Sequence, residues 1–447
     1  MTAVQSDTQR NLTFRVFWLA LPAIGEMVLH MVIWIVDTAM VGRLGAPALS
    51  AVGLGGQIYF TSTFVLGSLG MAVTAMVARR TGEGRKDDVP SIAGQAMAMA
   101  MVMGLALTGL LLWLAPPLFR LADLGAEAAA MGTGYLRTLA PGGLAIMTVY
   151  VGNGALRGTG DTKTPLVMAA ASNLINIVLD YGLIFGHFGL PALGVRGAAL
   201  ASLTAQTCGF LMMVVAARRM LGVRLRHLAQ FSLANIKSLI RLSAPAAAEV
   251  ALMDGARMVN SFVIAGLGTT AFAAHQITVA TESLSFMPGY GFSLAAAIMV
   301  GQALGARDVA LARKSAWRAT SLAAGIMCLA GLAFLLIPRH LLWVFTADFA
   351  VITTAVLCLQ VAALAQPFMA VTETLSGGLR GAGDTRGTMQ VTAGVVWLVR
   401  VPLTLLVVRG LGLGLAWVWL VILLEWAIRA VLIGRRFQQG RWAELQV

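Results

Sequence analysis

Two polar stripes inside apolar runs give this 447-residue chain its candidate chemistry. The first is Glu26-Met-Val-Leu-His30-Met-Val-Ile-Trp34-Ile-Val-Asp37, which sets two carboxyl groups and an imidazole in a run long enough to span a bilayer. At helical spacing Glu26, His30, Trp34 and Asp37 fall at i, i+4, i+8 and i+11, a face expected to look into the protein. The second stripe is Asn173-Leu-Ile-Asn176-Ile-Val-Leu-Asp180, with Asn176 and Asp180 one turn apart and Asn173 a turn earlier. Carboxylate and amide oxygens suit a hard cation such as Na⁺, and desolvated carboxyls held close together suit H⁺. A charge at the bilayer centre costs about 2.5–3.5 kcal/mol, so such groups either bind something or tie helices together.

The elements that carry these stripes are transmembrane helices. A chain that is 58% hydrophobic and only 11% charged, with mean hydropathy +0.82, is not a soluble globule. Apolar runs recur near 15–41, 48–78, 91–115, 131–155, 164–186, 197–217, 238–265, 271–301, 319–337, 350–376, 388–408 and 411–433, which predicts an all-α integral membrane fold of twelve spans. Pro22, Pro245 and Pro288 are expected to kink their helices without ending them. Residues 1–11 are polar and the first apolar run exceeds signal-peptide length, so no cleavable leader is expected. With the first loop outside, 24 Lys and Arg residues fall on the inner side and five on the other: Arg43, Arg120, Arg196, Arg339 and Arg409. The charge bias predicts a multi-pass inner-membrane protein with both termini in the cytoplasm. The net charge of +13 is then topological, and no nucleic-acid partner is implied. Cys208, Cys328 and Cys358 lack paired spacing and are read as core filler. No His-Glu-x-x-His, Gly-x-Ser-x-Gly or Cys-x-x-Cys appears, which argues against an enzyme, and no cofactor is expected.

The two halves of the chain repeat at one constant offset, the one that carries Pro22 onto Pro245. Gly154-Ala-Leu-Arg157-Gly-Thr-Gly160-Asp161-Thr162 matches Gly377-Gly-Leu-Arg380-Gly-Ala-Gly383-Asp384-Thr385, and the same offset pairs Glu26 with Glu249, Leu29 with Leu252 and Gly45 with Gly268. Six helices per half give two lobes in the same orientation, a parallel repeat with a solute cavity expected where they meet. The predicted division is an N-lobe over 1–217, a basic linker over 218–236 and a C-lobe over 237–447. The repeated Leu-Arg-Gly-x-Gly-Asp-Thr reads as a structural turn, with glycine ending one helix, Asp or Thr capping the next and Arg snorkelling to headgroups. Asp254 with Arg257 and Glu425 with Arg429 are expected to be intrahelical ion pairs. Glu282 is a loose acidic residue suited equally to lining a cavity or to packing. Under the constant offset Asp37 becomes Asn260, Asn173 becomes Val396, Asn176 becomes Val399 and Asp180 becomes Leu403, so one half alone keeps the polar wall.

These residues resemble the multidrug and toxic compound extrusion family. The resemblance rests on Val36-Asp37-Thr-Ala-Met-Val-Gly42-Arg-Leu-Gly45, on the doubled Leu-Arg-Gly-x-Gly-Asp-Thr, on Ala273-Ala-His275-Gln276-Ile277 and on the two six-helix halves. It implies a secondary antiporter that exports organic cations in exchange for H⁺ or Na⁺, with membrane lipids as its surroundings and a monomer as its state. In one branch a first-helix Asp, an Asn and an Asp of the fifth helix and a sixth-helix hydroxyl surround the cation. Asp37, Asn176 and Asp180 match that pattern, Asn173 lies nearby, and Ser202 and Thr204 are both open for the hydroxyl. If the ion is Na⁺, the metal site is Asp37, Asn176 and Asp180. In another branch second-lobe acids bind the cation, which Glu249 matches and Glu373 approximates. Glu26, His30, Trp34, Asn260, Gln276 and Glu282 complete the set expected around a cavity. A lipid-linked saccharide flippase of the same superfamily is the alternative function; the mainly acidic intramembrane charge favours a cationic substrate instead.

Overall fold

The computed structural model describes residues 3–122, 124–230 and 232–445, with side chains from Asn11 onward; Val447 and the side chain of Arg10 lie outside the described residues. Helices account for nearly all of it, with no strand among the described residues. They are α1 (Ala3–Gly42), α2 (Ala46–Gly82), α3 (Val89–Leu121), α4 in two segments (Ala126–Leu139 and Gly142–Thr159), α5 (Lys163–Phe185), α6 (Val195–Met220), α7 (Leu233–Ala265), α8 (Thr269–Gly305), α9 (Val309–Leu336), α10 (Phe349–Gly381), α11 (Thr385–Gly410) and α12 (Leu415–Gln439). Ten are long and apolar enough to cross a membrane, and α4, bent by 52° at Pro141, makes eleven. The twelfth is α7, whose 33 residues suffice in length but include Glu249, Asp254 and Arg257. Pro22, Pro245 and Pro288 lie within α1, α7 and α8, which continue past them as expected.

By their contacts the helices form two compact units, one of Gly25–Ala247 and one of Met1–Ile24 with Ala248–Val447. The boundaries between these units fall inside α1 and α7. Two long helices each contribute one half to either unit, which composition cannot reveal. In unit 25–247 the core is built from Leu107, Leu111, Phe119, Leu136 and Leu139 with Tyr59 and Tyr135. In the other, Phe292, Met327, Leu359, Met369, Val418 and Trp419 do the same.

The repeat is reproduced in packing detail. A Cβ on Gly154 would lie 2.2 Å from the Gly70 carbonyl oxygen, and one on Gly377 would lie 2.2 Å from that of Ser293. The repeat offset carries Gly154 onto Gly377 and Gly70 onto Ser293, so α2 against α4 and α8 against α10 are the same close helix crossing, made where small residues let backbones touch. The glycine turns also match: Gly160 and Gly383 take φ of 98° and 94°, a region that favours glycine. The following aspartates cap the next helix, Asp161 Oδ1 accepting from the Lys163 and Thr164 amides and Asp384 Oδ1 from the Gly387 amide.

Candidate functional site

In unit 25–247, α1 and α5 bring Asp37 and Asp180 into hydrogen-bonding contact, and the Asn176 amide donates to Asp180 Oδ2 at 2.9 Å. Asp180 is 1% exposed and Asn176 is buried; Asp37 is half-buried. Each aspartate keeps one buried oxygen, Oδ1, without a protein partner. Two adjacent carboxyls repel one another when both are ionised, and such a pair can share one proton. Tyr135, on the first segment of α4, is buried beside both carboxyls. Sequence reasoning passed over this tyrosine, because a lone Tyr in an apolar helix carries no spacing signal.

Of the remaining first-lobe residues, Asn173 and Thr204 make hydrogen bonds to backbone carbonyls. Asn173 commits its amide N–H to the Leu29 carbonyl at 3.0 Å, tying α5 to α1. Thr204 is exposed and its hydroxyl donates to Leu200 O at 2.7 Å. The α1 stripe is not uniformly interior, since Glu26 is buried while His30 is exposed and Trp34 is 68% exposed. At about 100° per residue, Asp37 returns to within about 20° of Glu26, while Trp34 has drifted by about 80°. The two acidic residues thus share an azimuth that the tryptophan has left.

Glu26 meets a partner that was expected elsewhere. Arg157 donates to it at 2.5 Å, and the Asn153 amide also donates to it, at 3.4 Å. In the other unit Arg380 donates to Glu249 at 2.7 Å. The motif arginines therefore do not snorkel to headgroups; each neutralises a buried glutamate of α1 or α7. Without its arginine each glutamate would be an uncompensated buried charge, which is strongly destabilising.

The second half repeats the tie but not the carboxyl pair, and its register shifts. Trp397 donates its indole N–H to Leu252 O at 3.0 Å, as Asn173 does to Leu29 O. Leu29 and Leu252 are repeat equivalents, yet Asn173 follows its leucine by 144 positions and Trp397 follows its own by 145. The extra residue is taken up by a π-helical turn over Val396–Arg400, absent from the regular α5; a second π turn covers Leu406–Gly410. This corrects the constant-offset reading: Asn173, Asn176 and Asp180 correspond to Trp397, Arg400 and Thr404, not to Val396, Val399 and Leu403. Asp37 still corresponds to Asn260, which is buried with neither amide atom partnered. An arginine therefore stands where the first half has Asn176.

Around Arg400 lies a charge cluster whose extent the sequence did not disclose. Arg400 sits 3.7 Å from Glu425, and Glu282 of α8 lies beside both. Arg429 is 3.0 Å from Glu425, as its spacing foretold, and 3.6 Å from Glu373; its guanidinium also lies 4.3 Å from the ring centroid of Trp426. Asp254 and Arg257 form their expected pair nearby on α7. Buried His275 neighbours Arg400, and Gln276 is exposed. At the repeat offset Glu282 and Glu373 replace Tyr59 and Tyr150. Scanning the repeat for charges gained, and not only lost, would have found this cluster.

Twelve apolar helices in two repeated halves, with carboxyls and compensating arginines buried inside them, define a polytopic membrane transporter. The chain belongs to the multidrug and toxic compound extrusion family: the MatE model matches it twice, at residues 22–182 and 245–406, each match starting at one of the two equivalent prolines. This is a family of transporters, not of enzymes. The chain is 31% identical to a probable multidrug resistance protein NorM of Thermotoga maritima over 434 residues, 96% of this chain and 93% of that one. Its fold matches an outward-facing multidrug resistance MATE transporter of the MOP superfamily with TM-score 0.89 and 23% identity, covering 98% and 97% of the two chains. It also matches a MOP superfamily transporter from Pyrococcus furiosus, for which reverse polarity of the binding pocket is held to suggest a different function, with TM-score 0.89, 22% identity and 97% of each chain covered.

Proposed function

We propose that this protein is a secondary active antiporter that exports lipophilic organic cations from the cytoplasm across the inner membrane, in exchange for H⁺ bound between Asp37 and Asp180. The observation that carries the reading is the buried Asp37–Asp180 contact with Asn176 donating to it. Both asparagines donate through their amide nitrogens, which leaves the choice of ion to the carboxyls, and a proton is the ion that two adjacent carboxyls accommodate directly. The relatives named as multidrug resistance proteins support drug efflux, and the carboxyl pair supports a cationic substrate, since a desolvated carboxylate favours a cationic partner.

Release of the proton exposes two like charges in a confined site, which disfavours the deprotonated arrangement unless a cation arrives or the helices move apart. That differential is what lets an ion gradient drive a conformational cycle. The test is purified protein in proteoliposomes with pH and Na⁺ gradients imposed separately. A pH gradient should drive efflux of a fluorescent lipophilic cation, and Asp37→Asn and Asp180→Asn should each abolish it in protein that inserts normally. Wild-type rates in the double variant would overturn the assignment, and efflux driven by Na⁺ alone would replace the proton with sodium at the same residues.

A further inference from the structure

Away from the carboxyl pair, the end of unit 25–247 formed by the C-terminus of α3 and the N-termini of α4 and α6 holds a cavity of about 500 Å³. Three arginines from three helices line it: Arg120 of α3, Arg137 of α4 and Arg196 of α6, with Thr133, Thr138 and Pro116. No carboxylate is among the lining residues, and among the described residues none of the three guanidiniums has an acidic partner. Arg120 donates weakly to the Pro116 carbonyl at 3.4 Å, and Arg196 lies across Gly134. Three like charges converging without a counter-charge repel one another, and an anion relieves that repulsion. The concentration of charge is notable because the charge bias of the sequence assigns few cations to this side: Arg120 and Arg196 are two of the five.

We propose that this cavity binds the phosphodiester headgroup of an anionic glycerophospholipid. Arginine is the side chain suited to phosphate, because its planar fork gives two parallel charge-assisted hydrogen bonds. The lipid source is favoured over a soluble phosphate by what continues from the cavity. Along α3, Pro116 and Arg120 extend a face that includes exposed Leu112 and Leu105, beside Trp113 at 74% exposure. That profile runs from acyl-chain contact, through an interfacial aromatic, to guanidinium, in the order of the parts of a phospholipid.

The test is native mass spectrometry and thermal stabilisation of the full-length protein with phosphatidylglycerol, diphosphatidylglycerol or phosphatidylcholine. Both anionic lipids should bind roughly a hundredfold more tightly than phosphatidylcholine, the scale expected of three membrane-facing arginines. Arg120→Gln, Arg137→Gln and Arg196→Gln combined should reduce that preference to within about threefold, and lysine at the three positions should keep part of it. Each single glutamine variant should lose part of the preference, which keeps the test valid if the triple variant fails to fold. Equal binding of all lipids by the wild type, or an undiminished preference in the glutamine variants, would overturn the site. Displacement of bound lipid by equimolar glycerol phosphate would overturn the lipid source in favour of a soluble phosphate.

Discussion

The buried glutamates Glu26 and Glu249 separate architecture from function at the scale of single residues. Each is held by an arginine 131 residues later, at 2.5 and 2.7 Å. A pair present in both halves serves a need that both halves have, which is holding α1 to α4 and α7 to α10. Removing one partner strands a buried charge, so Glu26→Gln should lower stability by about 3–5 kcal/mol, while Glu26→Gln with Arg157→Met should recover most of it. Melting of purified protein, followed by tryptophan fluorescence, decides this; a double variant no more stable than the single would mean that the pair is not coupled. The Asp37–Asp180 contact has no second copy, and neither does the cluster of Glu282, Arg400, Glu425, Arg429 and Glu373. The sequence displayed all of these groups but not their partners. So long a separation between Glu and Arg leaves no local periodicity, yet the repeat kept the two together in both halves and so held the pairing in plain view.

Among the elements, α11 shows how backbone register redirects side chains. Its π turns insert residues that α5 lacks, and Pro402, without an amide hydrogen, lies between them. The result puts Trp397 on the carbonyl equivalent to that held by Asn173 and brings Arg400 to face Glu282 and Glu425. Helix count, proline tolerance and glycine turns were legible because they depend on composition and local chemistry. The π turns were not, since neither composition nor periodicity marks a one-residue change of backbone register. The linker is a second instructive element. Its short helix Leu225–Ala229 lies on α3, with His227 against Gly94, and the Arg224 amide donates to His227 Nδ1 at 3.0 Å. Burial first, and then Arg226 and Arg224, hold this imidazole below its ordinary 6.5, so the docked form favours neutral histidine. Above pH 6.5 both docked and released forms are neutral. As pH falls through 6.5 the released histidine takes up a proton first, and docking weakens until the docked value is reached. Amide exchange across 225–229, corrected for its intrinsic pH dependence, should therefore quicken between pH 7.5 and 5.5 and should lose that dependence in His227→Asn. Identical profiles for the two proteins would remove the histidine from the docking contact.

For the whole molecule, the proposed orientation with both termini inside rests on an even number of helices and a strong bias of charge. Lysine and arginine near helix ends resist translocation, and 24 on one side against five on the other favour the insertion that keeps the 24 inside. The α3–α4 and α6 ends that carry Arg120 and Arg196 run against the bias, and a lipid phosphate at that end would compensate them locally. Because both halves contain six helices, their first loops must lie on the same side, so Gly45 and Gly268, at the starts of α2 and α8, report the same compartment. Cysteines placed at Pro47 and at Thr270 should both react with a membrane-impermeant maleimide added to intact cells stripped of the outer membrane, whereas one at Leu225 should react only after lysis. A reporter fused after Val447 should behave as cytoplasmic. Labelling at Pro47 without labelling at Thr270 would break the parallel repeat by removing a span from the first half, and external labelling at Leu225 would invert the molecule and with it the direction in which a proton gradient could drive export.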